Sequence, residues 1–124
     1  MSALSDTIRA ADWKTEKHAP VIEAPDAVKA GEAFEVKASL GKEVAHPNTL
    51  EHHIGWMSLY FMPEGGAAPL QVGHFEFTGH GAGNVFTWPS VVTTLKIDKP
   101  GILQAVSFCN IHGLWQASKK ISVR

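Results

Sequence analysis

In a series of short runs, apolar and polar side chains exchange places at every second residue. Residues 33–40 put Phe34, Val36, Ala38 and Leu40 on one side. Residues 53–62 put Met57, Leu59 and Phe61 on one side and Trp56, Ser58 and Tyr60 on the other. The runs 70–78, 91–98, 102–109 and 114–123 follow the same habit. Alternation at period two is the mark of half-buried strands. Between the runs, Pro63-Glu64-Gly65-Gly66, residues 79–84, Lys99-Pro100-Gly101 and residues 110–113 have the composition of turns. No segment carries an apolar stripe at helical spacing, and a short turn over residues 7–13 is the one helical expectation. The pattern predicts an all-β chain, an immunoglobulin-like antiparallel β-sandwich of about seven strands. A small barrel shares the strand count. There is no repeat or linker, so residues 1–124 read as a single domain, with residues 1–12 an irregular N-terminal segment.

Composition narrows the classes. With 44% hydrophobic and 19% charged residues the chain is globular in type. A net charge of −1 lacks the basic surface of a general nucleic-acid binder. No apolar run approaches the ~20 residues that span a bilayer, so no membrane association is expected. The first residues lack a basic stretch followed by an apolar one, and a lone cysteine fits a reducing compartment; the expected location is the cytoplasm.

Seven histidines are many for 124 residues and raise the prospect of a metal site. The single thiol, Cys109, cannot form an internal disulfide and has His112 three residues on. His46 and His52 bracket Pro47-Asn48, which should turn the chain, and His18 lies in an irregular segment beside Pro20. Loops at one end of a sandwich can bring such residues together. Imidazole suits zinc, copper, nickel and iron, whereas thiolate favours softer or more covalent partners. Structural zinc needs four ligands. A cupredoxin-like electron carrier needs two histidines, a cysteine and usually a weak axial methionine, and no methionine follows His112. Five donors exceed both requirements and point towards five-coordinate iron, although spacing does not choose among the metals. His53, His74 and His80 read as ordinary histidines, and Trp13, Trp56, Trp88 and Trp115 as core or interface aromatics, with Trp115 placed to shield a pocket. Glu23, Glu51 and Asn48 are candidates to stand behind the metal-binding groups.

Three motifs are more specific. Glu16-Lys17-His18-Ala19-Pro20-Val21-Ile22-Glu23, His46-Pro47-Asn48-Thr49 with Glu51-His52-His53-Ile54, and Phe108-Cys109-Asn110-Ile111-His112-Gly113-Leu114-Trp115 resemble the signatures of the superoxide reductase family, in its single-domain, one-iron neelaredoxin type. The resemblance runs from about Asp12 to Arg124 and holds the motifs in the family's order. It implies one iron ion, with His18, His46, His52 and His112 as equatorial ligands and Cys109 as the axial thiolate. Glu16 would be the sixth ligand of the ferric state, and Lys17 would stand beside the open position, steering superoxide to it. The reaction implied is reduction of superoxide to hydrogen peroxide, with rubredoxin or a similar small carrier returning the electron. Relatives of this size imply a homo-oligomer, a tetramer by preference. The chain has no cysteines for the second, four-cysteine iron centre of the larger desulfoferrodoxins, and its 79–84 loop is shorter than in many archaeal relatives.

Overall fold

Residues at positions 101, 103, 105, 107 and 109 are buried while the four between them are not, so one face of this strand belongs to the interior. The computed structural model describes residues 3–124, so the first two residues of the irregular segment 1–12 lie outside the description. Eight strands are formed: β1 (Val21–Glu23), β2 (Ala27–Val28), β3 (Phe34–Ser39), β4 (Ile54–Pro63), β5 (Leu70–Glu76), β6 (Ser90–Leu95), β7 (Gly101–Cys109) and β8 (Gly113–Val123). They make a three-stranded sheet in the order β1-β3-β6 and a five-stranded sheet in the order β2-β8-β7-β4-β5. Among the described residues, no helix is long and apolar enough to cross a membrane.

The six alternating runs all became strands. β1 and β2 were not anticipated, because three and two residues are too few to display an alternation. The sandwich also departs from a wholly antiparallel one. β2 runs parallel to β8, with Ala27 opposite Ser122 and Val28 opposite Val123. The helical turn expected over residues 7–13 is displaced. A 3-10 turn forms at Leu4–Asp6, and Arg9 instead makes an isolated parallel bridge to Trp115. Backbone hydrogen bonds to a neighbouring strand outweigh a weak local propensity there.

The interior is built from the faces that the alternation marked. Val36 and Ala38 of the smaller sheet, with Leu40 just beyond its β3 strand, meet Met57, Leu59, Leu103, Ala105 and Ile121 of the larger one, all essentially without solvent contact. Cross-strand register puts Met57 beside Ser107, Leu59 beside Ala105 and Phe61 beside Leu103. The same register carries Cys109 to the end of β7 beside Ile54, with its side chain on the core face. A rigid sheet end thus delivers the thiol to the loops at one pole.

Candidate metal centre

Two loops and one hairpin turn meet at that pole. His18 precedes β1, His46 and His52 lie between β3 and β4, and His112 sits in the turn between β7 and β8. Gly41, at φ +83°, lets the β3–β4 connection fold tightly back on itself. A Cβ there would stand 3.2 Å from the His46 nitrogen. Gly113, at φ +81°, closes the Asn110–His112 turn in a conformation that other residues adopt at a cost.

Two asparagines tie these loops together. Asn48 Nδ2 donates to the Thr87 carbonyl at 3.0 Å, while its Oδ1 lies 2.9 Å from His80 Nδ1. Asn110 Nδ2 donates to the Glu51 carbonyl at 2.9 Å, and Asn110 Oδ1 accepts from the His53 N–H at 2.8 Å. The second clasp holds the segment carrying His52 against the turn carrying Cys109 and His112. Asn110 went unremarked in the sequence, because asparagine in a turn is commonplace and nothing local reveals a partner 59 residues away.

The four imidazoles form a closed ring. Neighbouring centroids are 4.8 Å apart for His18–His46, 4.7 Å for His46–His52, 5.1 Å for His52–His112 and 4.6 Å for His112–His18. The His18–His52 diagonal is longer, 6.2 Å. One donor atom from each of His18, His46, His52 and Cys109 lies within 4.8 Å of the others. His112 joins them on the exposed side, its Nδ1 3.0 Å from His18 Nε2 and 3.8 Å from Cys109 Sγ. The backbone N–H of His112 donates to the sulfur at 3.4 Å.

The outer nitrogens show which atoms face inward. His18 Nδ1 is held by Glu16 Oε1 at 2.7 Å and His46 Nδ1 by the Pro47 carbonyl at 2.7 Å. His46 Nε2 and His52 Nε2 are buried with no hydrogen-bond partner among the described residues. Buried polar nitrogens without partners are costly. Their convergence on a thiol and two further imidazoles fits a metal ion, which would satisfy all of them together.

The electrostatics favour neutral imidazoles ready to coordinate. Burial holds His18 and His52 below the ordinary histidine range, and the Lys17 ammonium adds a smaller push in the same direction. Burial brings His46 down from 6.5 to about 4. The Glu16 carboxyl is lowered chiefly by the backbone N–H of His18 and then by its ring. These shifts carry a pH prediction for the metal-free protein. Folded His46 resists protonation that the unfolded chain accepts, so stability is complete above pH 6.5 and falls as pH drops from 6.5 to about 4. The loss from this group amounts to roughly 3 kcal/mol by pH 4. Denaturant melts of metal-free protein at stepped pH should show that decline, and a flat profile through the window would contradict the buried, neutral state of His46.

The remaining candidates divide. Lys17 is half-buried beside His18. Glu16 lies on the outer edge of the His18 ring, bonded to both its Nδ1 and its backbone N–H. Asn48 pins a loop, whereas Glu23 is committed to Lys42 Nζ at 2.5 Å. Trp115 stacks on His18 with centroids 5.1 Å apart. His53 stacks on His80, and His74 bridges Ser58 and Glu76 on the larger sheet, all three outside the ring.

Comparison with known proteins agrees with this geometry. Residues 10–118 match the desulfoferrodoxin family model. The chain is 53% identical to the neelaredoxin of Megalodesulfovibrio gigas, over 98% of both chains. It is 52% identical to the superoxide reductase of Pyrococcus horikoshii, over 91% of this chain and 94% of that one. Its fold superposes on the reduced superoxide reductase (neelaredoxin) of Archaeoglobus fulgidus with a TM-score of 0.86 at 47% identity, covering 94% of this chain and 99% of the other. With most of its length matched at this level, and its histidines and cysteine gathered at one pole, the chain belongs to the desulfoferrodoxin family.

Proposed function

We propose that His18, His46, His52 and His112 surround one iron ion through Nε2, Nε2, Nε2 and Nδ1 respectively, with Cys109 as the fifth ligand behind them. The protein is a superoxide reductase with one iron per chain. The observation that carries the reading is the ring of four imidazoles closed over a single buried thiol, in a member of this family. Five donors are one more than structural zinc requires, and four histidines are two more than a cupredoxin-like copper site uses.

Iron held there would supply one electron, and with two protons superoxide would become hydrogen peroxide. The chain's own residues prepare that event. Lys17 places a positive charge at the mouth of the ring and draws in the anionic substrate. Cys109 binds as thiolate, and the His112 N–H pointing at its sulfur fixes how much negative charge it delivers. Glu16 would have to leave the His18 ring to serve as a sixth ligand, and we assign it that place in the ferric state only. His112 is the exposed member of the ring, so a small one-electron carrier of rubredoxin type would dock on its side. We further read residues 1–124 as one domain, working in the cytoplasm as a homotetramer; the exposed Phe86, Trp88 and Ile102 would suit contacts between copies.

The test is direct. Protein loaded with iron under anaerobic conditions should hold one iron per chain and show a visible band that ascorbate bleaches. It should consume superoxide stoichiometrically without evolving oxygen. A colourless, redox-silent protein, or one that retains copper in preference to iron, would overturn the reading.

A further inference from the structure

The His18 imidazole has both its edge and its face occupied by named partners. Glu16 Oε1 takes its outer nitrogen, and the Trp115 indole lies nearly parallel to its ring, at an interplanar angle of 14°. Trp115 is in turn engaged by the N-terminal segment. The guanidinium of Arg9 stands 5.7 Å from the indole centroid. Both backbone groups of Arg9 are locked to β8, its N–H donating to the Leu114 carbonyl at 3.1 Å and its carbonyl accepting from the Gln116 N–H at 2.8 Å. The sheet therefore fixes the backbone from which the guanidinium reaches the indole.

A second observation argues that Trp115 is more than filling. The residue is only 7% exposed, yet among the described residues its Nε1 has no hydrogen-bond partner. An unpartnered buried N–H opposes folding, and phenylalanine would keep an aromatic face there without that N–H. Its register opposite Ser107 sets the indole beside the strand end that carries Cys109.

We propose that Trp115, backed by Arg9, is a positioning residue for the iron centre: it fixes the plane of the His18 imidazole and places a positive charge one aromatic ring away from a ligand. The proposal rests on His18 being an iron ligand. The indole face removes rotation of the imidazole about its Cβ–Cγ bond, so that with Glu16 on one nitrogen the other stays aimed into the ring. The Arg9 charge is attracted to the indole face and disfavours the extra positive charge of Fe(III) relative to Fe(II). This gives the N-terminal segment a part in the metal centre.

The experiment compares wild-type protein with Trp115→Phe, Trp115→Leu, Arg9→Lys and Arg9→Gln. The readouts are Co(II) affinity of the metal-free forms and the midpoint potential of the iron forms. Trp115→Leu should weaken Co(II) binding by roughly tenfold, the low end of what losing a group behind a ligand costs, and Trp115→Phe should restore it. Arg9→Gln should shift the Fe(III)/Fe(II) equilibrium towards Fe(III) by up to about tenfold, a fall of up to ~59 mV for one electron, while Arg9→Lys keeps the wild-type value. Equal Co(II) affinity in Trp115→Leu and wild type, Trp115→Phe no better than Trp115→Leu, or an unchanged potential in Arg9→Gln would overturn the proposal. If Trp115→Leu does not fold, the Arg9 pair, altered at the surface, decides. A wild-type protein that binds neither metal would instead defeat the assignment of the centre itself.

Discussion

Replacing Cys109 with serine is expected to abolish the sulfur-to-iron absorption band and to lower the rate of superoxide reduction at least ~100-fold, since losing even a group behind a ligand commonly costs 10–100-fold. The thiol is 1% exposed at the end of β7, and β4 and β8 flank it through Ile54 and Gly113. A metal ion deprotonates a coordinated thiol outright, whereas a serine hydroxyl is a harder and less polarisable donor. The His112 N–H that points at the sulfur would face a weaker acceptor. Serine is close to cysteine in size, so the fold should survive. The buried hydroxyl would cost about 1–3 kcal/mol, which a melt of the metal-free variant can register independently. Visible spectroscopy and stopped-flow decay of superoxide together give the answer. A variant that keeps both the band and the rate would remove Cys109 from the iron.

The second large effect is expected at Lys17. With a net charge of −1 for the whole chain, no general field draws in an anion, so attraction must be local. The Lys17 ammonium is close enough to His18, His46 and His52 to depress the basicity of all three, as a lesser contribution beside burial. Its nearest acidic neighbour along the chain, Glu16, is already engaged by His18. Lys17→Ala should therefore lower the second-order rate with superoxide by ~10–100-fold at low ionic strength, within the range that steering supplies. It should also flatten the salt dependence, since screening lengths of ~8 Å near 0.15 M already weaken such attraction. Lys17→Arg should retain most of the rate and its salt slope. Rates measured across a salt series would decide, and an alanine variant with wild-type rate and slope would leave Lys17 without a steering part.

These expectations draw on two layers of information that the chain encodes differently. The strands were legible because burial of one sheet face imposes period two on each run independently. β3 and β7 show this clearly, with Val36 and Ala38 or Leu103, Ala105 and Cys109 buried in turn. β1 and β2 were not, because two or three residues hold no period, and the parallel pairing of β2 with β8 depends on which strand lies nearest in space. The candidate donors could be picked out because few residue types bind metals, and their motifs survive as short strings.

How those donors are arranged was not readable. Whether Nδ1 or Nε2 of each histidine faces inward is decided by partners such as Glu16 and the Pro47 carbonyl. That Glu16 rests on His18, that Asn110 clasps the His52 segment, and that Arg9 reaches Trp115 are likewise matters of packing. Side-chain type and local periodicity follow from each residue and its near neighbours, and so are written along the chain. Hydrogen bonds and ring stacks between loops arise only when residues far apart in sequence are brought within a few ångströms, and no local pattern records that meeting.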